Sequence, residues 1–417
     1  MEFILNRSNS YKFYKEGYDS NKKKIKKLKR KTKKQNERIE VLESRLESKS
    51  NIFCKFPKDL RNLNIAYILN GFPIHSETFV INEIKWLKNN GYNVVVFHKR
   101  IPKDSFELDF IVESKIYNNK LELERLLIEY DIGLMYTHFV FPICTEYTFP
   151  IAEELKIPFV VFAHAYDIFI NENDEKNNIE EISKSKYCVA IFTLSNFHKD
   201  YLLERNVDET KIIITKQATE YEISDLKVKE NPIINIISIS RFVEKKGLDN
   251  LIEAAKLLED EDFVFSIYGF GELEDDLQDQ IHKLGSKNIS IKGKLQPQDV
   301  KNVLKESDLL VSSCKVAKNG DMDGIPTIIF ESMAYGLPVL TTNVSAIPEV
   351  IIDNENGFLI ESDNTQALAN KIKEISSLSG EELFNIRKKA QEDVKDISSV
   401  EKTMSVFLDT LNKWDYE

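Results

Sequence analysis

From about residue 63 the chain alternates short apolar runs with amphipathic stretches. The runs Ile65–Leu69, Val94–Phe97, Leu134–His138, Phe159–Ala163 and Ala190–Leu194 are short and rich in β-branched and aromatic residues. They read as strands buried on both faces. Most are separated by segments whose apolar positions recur every three to four residues, such as Phe79, Ile84 and Leu87. Such alternation predicts a parallel sheet with helices on both sides. A second series follows: Ile236–Ser240, Phe263–Tyr268, Ile289–Lys292, Leu309–Ser312 and Val339–Thr342. One intervening helix carries Leu248, Leu251, Ile252 and Ala255; another carries Leu273, Leu277, Ile281 and Leu284 and stops at Gly285. Residues 220–232 show neither period and end in proline, so the domain linker is placed there. The expected fold class is α/β: two Rossmann-like, doubly wound domains, 63–220 and 233–397, facing a cleft lined by strand C-termini, where such sheets bind ligands. Residues 398–417, with Val400, Met404, Phe407 and Leu411, read as a last helix.

The first 50 residues differ. They hold 16 Lys or Arg against 7 Asp or Glu, a net +9 that leaves −20 on the remainder of a chain whose total is −11. Ile25, Leu28, Thr32, Gln35, Ile39, Leu42 and Leu46 alternate at three and four, the seam of a short coiled coil. Two uses stay open for residues 22–46: self-association, or contact with an anionic membrane surface, at ~1 kcal/mol per basic residue near it. A solvated helical arm is the plain alternative. The acidic body disfavours nucleic acid as a partner. Cys54, Cys144, Cys188 and Cys314 stand far apart with no Cys-x-x-Cys pair, which suggests reduced thiols and no zinc site. No apolar run approaches the ~20 residues of a membrane span. A cytoplasmic protein is expected, with peripheral association at the inner membrane face as an option.

The most informative chemistry lies in Asp321-Met-Asp-Gly-Ile-Pro-Thr-Ile-Ile-Phe-Glu331. Pro326 suits a first helical turn, where its missing N–H costs nothing. Gly324 lets backbone approach a ligand. The free amides of a helix start favour an anion such as a diphosphate. Asp323 and Glu331 then flank that start with carboxylates. The arrangement suits hydroxyls at both ends and phosphates between, that is, a nucleotide sugar. The stretch resembles the Glu-x7-Glu signature of retaining glycosyltransferases of family 4, which have the two-domain GT-B fold. It is most similar to the bacterial branch making exopolysaccharide, O-antigen and colanic-acid-type glycans. Asp323 stands where the family has Glu, one methylene shorter. The triplet Asp321-Met-Asp323 also mimics the metal-binding Asp-x-Asp of a different glycosyltransferase architecture and is read as coincidence.

The resemblance spans roughly residues 64–395 and is carried by separated motifs in the family's order. Ser240-Arg-Phe-Val-Glu-Lys-Lys-Gly247 is similar to Arg-x4-Lys-Gly, matched by Arg241, Lys246 and Gly247. Fixed cations there stabilise a leaving diphosphate more in the transition state than in the ground state. Tyr268-Gly-Phe-Gly-Glu272 resembles the Gly-x-Gly turn near the nucleotide, giving Gly269 and Gly271; Glu274 stands where a dinucleotide fingerprint needs its third glycine. Asn70-Gly-Phe-Pro-Ile-His-Ser-Glu-Thr-Phe79 resembles Phe-Pro-x-x-Ser-Glu-Thr-Phe. It contributes Gly71 to the donor side and His75, Ser76 and Glu77 to the acceptor side. Ser76 as N-cap and Glu77 in a first turn are an equally complete structural account. Ala163-His-Ala-Tyr-Asp-Ile-Phe169 resembles His-Ala-x-Asp-Ile. It places His164 against the donor sugar and makes Asp167 a supporting acceptor-side residue.

By the family pattern, Asp323 contacts the transferred sugar, Glu331 the ribose, and Gly324, Ile325, Pro326 and Thr327 the donor. Arg241, Lys246, His164 and Asp323 form the expected catalytic set. The resemblance also implies that the last helix crosses back onto the first domain. Ser345-Ala-Ile-Pro-Glu349 and Lys216-Gln-Ala-Thr-Glu220 depart from the family's Gly-Gly-Ile-Pro-Glu and Asn-Gly-x-Asp. The implied activity is retaining transfer of a hexose-type unit from a nucleotide diphosphate sugar to a lipid-linked or nascent surface glycan, without a metal or other cofactor. Two alternatives stay open: a nucleotide-sugar epimerase or a phosphorylase of the same architecture, and a non-catalytic nucleotide- or glycan-binding scaffold.

Overall fold

The computed structural model describes residues 56–414 apart from 75, 76, 104, 227 and 229–233. The heptad seam between Ile25 and Leu46, Cys54, His75 and Ser76 lie outside the described residues.

Two all-parallel sheets build the body. The first comprises β1 (Asn64–Gly71), β2 (Asn93–Arg100), β3 (Glu113–Ile116), β4 (Leu134–His138), β5 (Phe159–Phe162), β6 (Cys188–Thr193) and β7 (Ile212–Ile214), in the order β3-β2-β1-β4-β5-β6-β7. The second comprises β8 (Asn235–Arg241), β9 (Val264–Phe270), β10 (Ile289–Gly293), β11 (Leu309–Ser312), β12 (Val339–Thr342) and β13 (Phe358–Ile360), in the order β10-β9-β8-β11-β12-β13. Every strand expected from the apolar runs is present. Three were not expected: β3, whose Glu-Ser-Lys-Ile lies mostly exposed at an edge, and the three-residue β7 and β13. Their burial is too slight or too short to leave a period in the sequence.

Strand order reverses between β1 and β4 in one sheet and between β8 and β11 in the other. Ile65 pairs with both Val94 and Leu134, and Ile236 with both Phe265 and Leu309. Crevices open at these reversals, beyond the strand C-termini. The chain leaves β1, β4, β8 and β11 there, which is why separated motifs converge.

Seven helices matter below. They are α1 (Thr78–Asn89), α2 (Ala165–Ile168), α3 (Asn196–Leu203), α4 (Leu248–Leu257), α5 (Thr327–Tyr335), α6 (Gly380–Ile397) and α7 (Val400–Lys413). Helix α4 buries Leu251, Ile252, Ala254 and Ala255 against the second sheet's core, which includes Phe265 and Ile267. Helix α6 starts with a capping box between Ser379 and Glu382. Helix α7 returns to the first lobe: Phe407 stacks on Tyr136 of β4 at 5.0 Å between ring centroids, and Thr403 donates to the Lys216 carbonyl at 2.9 Å. Residues 221–226 form no regular element and lie along α5 and α6, where Gln391 donates to the Ser224 carbonyl at 2.8 Å and the Ser224 N–H to that of Ala334 at 3.2 Å.

Candidate active site

In the second lobe β8 ends at exposed Arg241, and the chain turns through Glu244–Lys246 to Gly247. Gly247 has φ +58°, and a Cβ there would lie 2.0 Å from the Ser313 carbonyl oxygen. Only glycine allows this approach. The Ser313 hydroxyl donates to the Gly247 carbonyl at 2.8 Å, so the loops after β8 and β11 are tied across the reversal. Gly269 and Gly271 press on the same loop from behind. A Cβ at Gly269 would come 1.8 Å from the Ser240 carbonyl oxygen, and one at Gly271 2.4 Å from that of Phe242. Packing against the Ser240 and Phe242 backbone thus accounts for both glycines.

Four alternating charges fill the space between those loops. Lys246 Nζ lies 2.5 Å from Asp323 Oδ2, and Lys245 Nζ lies 2.8 Å from Asp321 Oδ1 and 3.5 Å from Asp323 Oδ1. The Cys314 thiol donates to Asp323 Oδ2 at 3.3 Å. Burial alone would raise the Asp323 carboxyl, but Lys246 and Lys245 outweigh it and hold it well below the usual range. Burial would lower Lys246; Asp323 reverses that and raises it. Asp323 and Lys246 are therefore both charged.

Helix α5 begins one residue later than the sequence suggests. Pro326 occupies the N-cap rather than the first turn, and Thr327 is the first helical residue. Glu331 lies one turn further on, with no hydrogen-bond partner among the described residues. Burial pushes its carboxyl up to about 7. Gly324, Ile325 and Pro326 are buried and Thr327 half-buried.

The first lobe contributes the loops after β1, β4 and β5. Gly71, at the end of β1, leaves 3.2 Å between a notional Cβ and the side chains of Ile74 and Pro102. Glu77 is the N-cap of α1 but caps nothing with its side chain. Burial pushes its carboxyl up to about 7, against the pull of His138, Arg100 and Arg241. Arg241 also acts on Asp321 and Lys246, so its charge is felt by both lobes. His164 is the N-cap of the short α2, 5 % exposed, with Nε2 3.0 Å from His138 Nδ1. Burial lowers His164 well below the ordinary imidazole range, and His138 adds to the effect. Asp167, expected on the acceptor side, is instead wholly buried. Its Oδ2 accepts from the backbone N–H of Val140, and burial raises it to about 8. It fixes the loop after β4 from inside.

Residues 220–393, the second lobe, match the family model described as "Glycosyl transferases group 1". The amylovoran biosynthesis glycosyltransferase AmsK of Erwinia amylovora is 25% identical over 362 residues, covering 74% of this chain and 89% of that one. The match to the group 1 glycosyltransferases covers the second lobe. The Escherichia coli K12 protein named as the colanic acid biosynthesis glycosyltransferase WcaL is 32% identical over 180 residues, 42% of this chain and under half (44%) of that one. The Anabaena protein HepE, solved in complex with UDP-glucose, superposes with a TM-score of 0.70 at 16% identity, covering 85% of this chain and 100% of that one. The fold of this glycosyltransferase is thus GT-B.

Sequence reasoning missed the contacts by which this glycosyltransferase joins its lobes. Glu349 accepts from the backbone N–H groups of Asn196 and Phe197 at 3.1 and 2.9 Å, capping α3 from the opposite lobe. The Asn171 N–H donates to the Asn319 carbonyl at 3.2 Å. A Cβ at Gly324 would meet Leu194 at 2.8 Å and His198 Nε2 at 3.1 Å. Gly324 therefore serves close approach between lobes. His198 Nδ1 lies 2.6 Å from Ser195 Oγ, while its Nε2 is buried without a hydrogen-bond partner among the described residues. Burial pushes its ring down to about 3, and Lys216 adds to that. The one signal was position: Ser195 and His198 follow a buried strand, β6, as His164 follows β5.

Among the described residues, no cluster of three or more His, Cys, Asp or Glu is placed to hold a metal ion. No helix among them is long and apolar enough to cross a membrane.

Proposed function

We propose that this glycosyltransferase moves a hexose-type unit from a nucleotide diphosphate sugar to a lipid-linked or nascent surface glycan, with retention at the anomeric carbon. One observation carries the reading. The loops after β8 and β11 bring Arg241, Lys246 and Asp323 together beside α5, and the Arg241 charge reaches Glu77 across the cleft. The relatives named for amylovoran and colanic acid biosynthesis support a glycan acceptor, and the HepE complex supports the donor class.

In this reading the nucleoside lies along α5, with the Glu331 carboxylate on the ribose hydroxyls. The diphosphate faces Arg241 and Lys246, which supply the charge that a metal would otherwise bring. The bond between the anomeric carbon and the phosphate oxygen breaks, and its electrons leave with the nucleoside diphosphate. The acceptor oxygen bonds that carbon from the same face, and its proton passes to the leaving phosphate oxygen. Asp323, held charged by Lys246, lies where positive charge grows on the sugar. His164 packs against the sugar from the first lobe.

The test is a thermal-shift panel of UDP, GDP, ADP and their sugars with EDTA present, followed by NMR of the product formed with the stabilising donor. One nucleotide series should stabilise the protein, and the product should keep the donor's anomeric configuration. An inverted product would remove the retaining assignment. Stabilisation that appears only after divalent cation is restored would remove the roles given to Arg241 and Lys246.

A further inference from the structure

One buried polar chain ends at His164, and its other members have no task in the transfer just described. It runs from the middle of α1 through the ends of β4 and β5. Glu83 is wholly buried, and its Oε2 accepts from the Tyr67 hydroxyl at 3.1 Å and lies 2.9 Å from His138 Nε2. His138 is also wholly buried, and its Nδ1 lies 3.0 Å from His164 Nε2. The His164 ring stacks on Phe162 and packs beside Phe139, each at 4.6 Å, with Phe79 at 5.1 Å. Its other nitrogen, Nδ1, has no hydrogen-bond partner among the described residues.

The donors and acceptors can be ordered along this chain. A carboxylate only accepts, and a neutral imidazole has one donor and one acceptor nitrogen. With Tyr67 and His138 both donating to Oε2, the His138 proton sits on Nε2. With His138 neutral, its Nδ1 then accepts and His164 donates from Nε2. That leaves His164 Nδ1 as a bare lone pair.

We propose that Glu83 is a positioning residue which, through His138, fixes the tautomer of His164 so that Nδ1 accepts a hydrogen bond from a hydroxyl of the transferred sugar. This rests on the sugar-transfer reading above. The direction of the bond matters chemically. A hydroxyl that donates becomes more electron-rich, which favours a ring whose anomeric carbon is turning positive. A hydroxyl that accepts from N–H is drained of density at that moment. The preference therefore grows toward the transition state, where an interaction speeds the chemical step. Burial also keeps His164 uncharged, so no imidazolium opposes the growing charge.

The experiment is a long-range 1H–15N spectrum of the full chain labelled with 15N-histidine. The sequence holds only six histidines, and His164→Asn identifies the resonances in question. His164 should show a protonated Nε2 and an unprotonated Nδ1. The near-isosteric Glu83→Gln should give a mixture of tautomers, because an amide can present either its oxygen or its nitrogen. Its kcat should fall roughly 10- to 100-fold, by analogy with losing the outer partner of a metal-bound histidine, with nucleotide binding unchanged. Protonated Nδ1 in the wild type overturns the proposal even if the variant does not fold. So does a folded Glu83→Gln with unaltered tautomer and kcat. A correct tautomer in a wild-type chain that transfers no sugar would sink the transfer reading and leave the relay standing.

Discussion

The two lobes treat buried ionisable groups in opposite ways. In the second lobe charge is kept: Lys245, Lys246, Asp321 and Asp323 alternate in sign within 2.5–3.5 Å, and Asp323 stays ionised despite burial. In the first lobe four groups lose theirs. Burial pushes Glu77 up to about 7 and Asp167 up to about 8, pushes His198 down to about 3, and lowers His164. The cause is the partner, not the depth. Each of those four ions of the second lobe meets an opposite charge, which offsets its desolvation. The four groups of the first lobe form no ion pair among the described residues: burial outweighs the pull of Arg100 and Arg241 on Glu77, and the others meet backbone, a hydroxyl or neighbouring rings. A cleft with one charged wall and one uncharged wall suits a ligand with a phosphate end and a hydroxyl end.

The sharpest way to break this comparison is to remove one ion from the charged wall. Lys246→Ala leaves Asp323 with Lys245 at 3.5 Å and the Cys314 thiol. Turnover should fall about 10³-fold, the scale of losing one preorganised group facing developing negative charge. Stability should also drop, because a buried carboxylate loses its nearer partner. Pairing Lys246→Ala with Asp323→Asn should restore the melting temperature without restoring turnover. Near-normal turnover in the single variant would take Lys246 out of the chemistry.

A second test asks whether the walls act as one unit. Phe407 of α7 is 2 % exposed and stacks on Tyr136 of β4. Phe407→Ala should cost about 3 kcal/mol, as expected for a buried aromatic truncated to alanine, seen as a lower denaturation midpoint. Turnover should fall while nucleotide binding, assigned above to the second lobe, persists. Loss of both in equal measure would show that α7 supports the whole body rather than the joint.

The fold was legible wherever burial imposed a period. The apolar runs marked every central strand, while edge strands β3, β7 and β13 left none. The motifs lie on loops that converge, since strand order brings the ends of β1, β4, β8 and β11 together. What a residue does inside its loop was less legible. Gly269 and Gly271 pack against backbone, Gly324 faces the other lobe, and Asp167 holds the Val140 N–H. Each depends on a neighbour distant in sequence. For the same reason Glu83, His198 and Glu349 gave no warning, because their partners are remote or their surroundings unreadable from local pattern.

The smallest effect sharpens the comparison most, because Glu331 is an exception to it. It stands on the charged wall, yet it has no counter-charge among the described residues, and burial alone pushes it up to about 7 from an ordinary 4.5. Between those values the folded protein holds a proton that the unfolded chain has released. Stability therefore falls as pH rises through that window. Glu77 and Asp167 act in the same sense, so Glu331→Gln should flatten the slope only in part. Nucleotide affinity separates Glu331 from the other two. A ribose hydroxyl donating to the carboxylate favours its charged form, so affinity for the stabilising nucleotide should rise as pH passes 7, with a proton released on binding. In Glu331→Gln that rise should vanish, leaving affinity roughly tenfold weaker at pH 8, in line with one hydrogen bond to a charged group, and little changed at pH 6. Calorimetry in two buffers of different ionisation enthalpy reads both the affinity and the proton. If wild type and variant release the same proton, the ribose is not on Glu331, and the nucleoside lies elsewhere along α5.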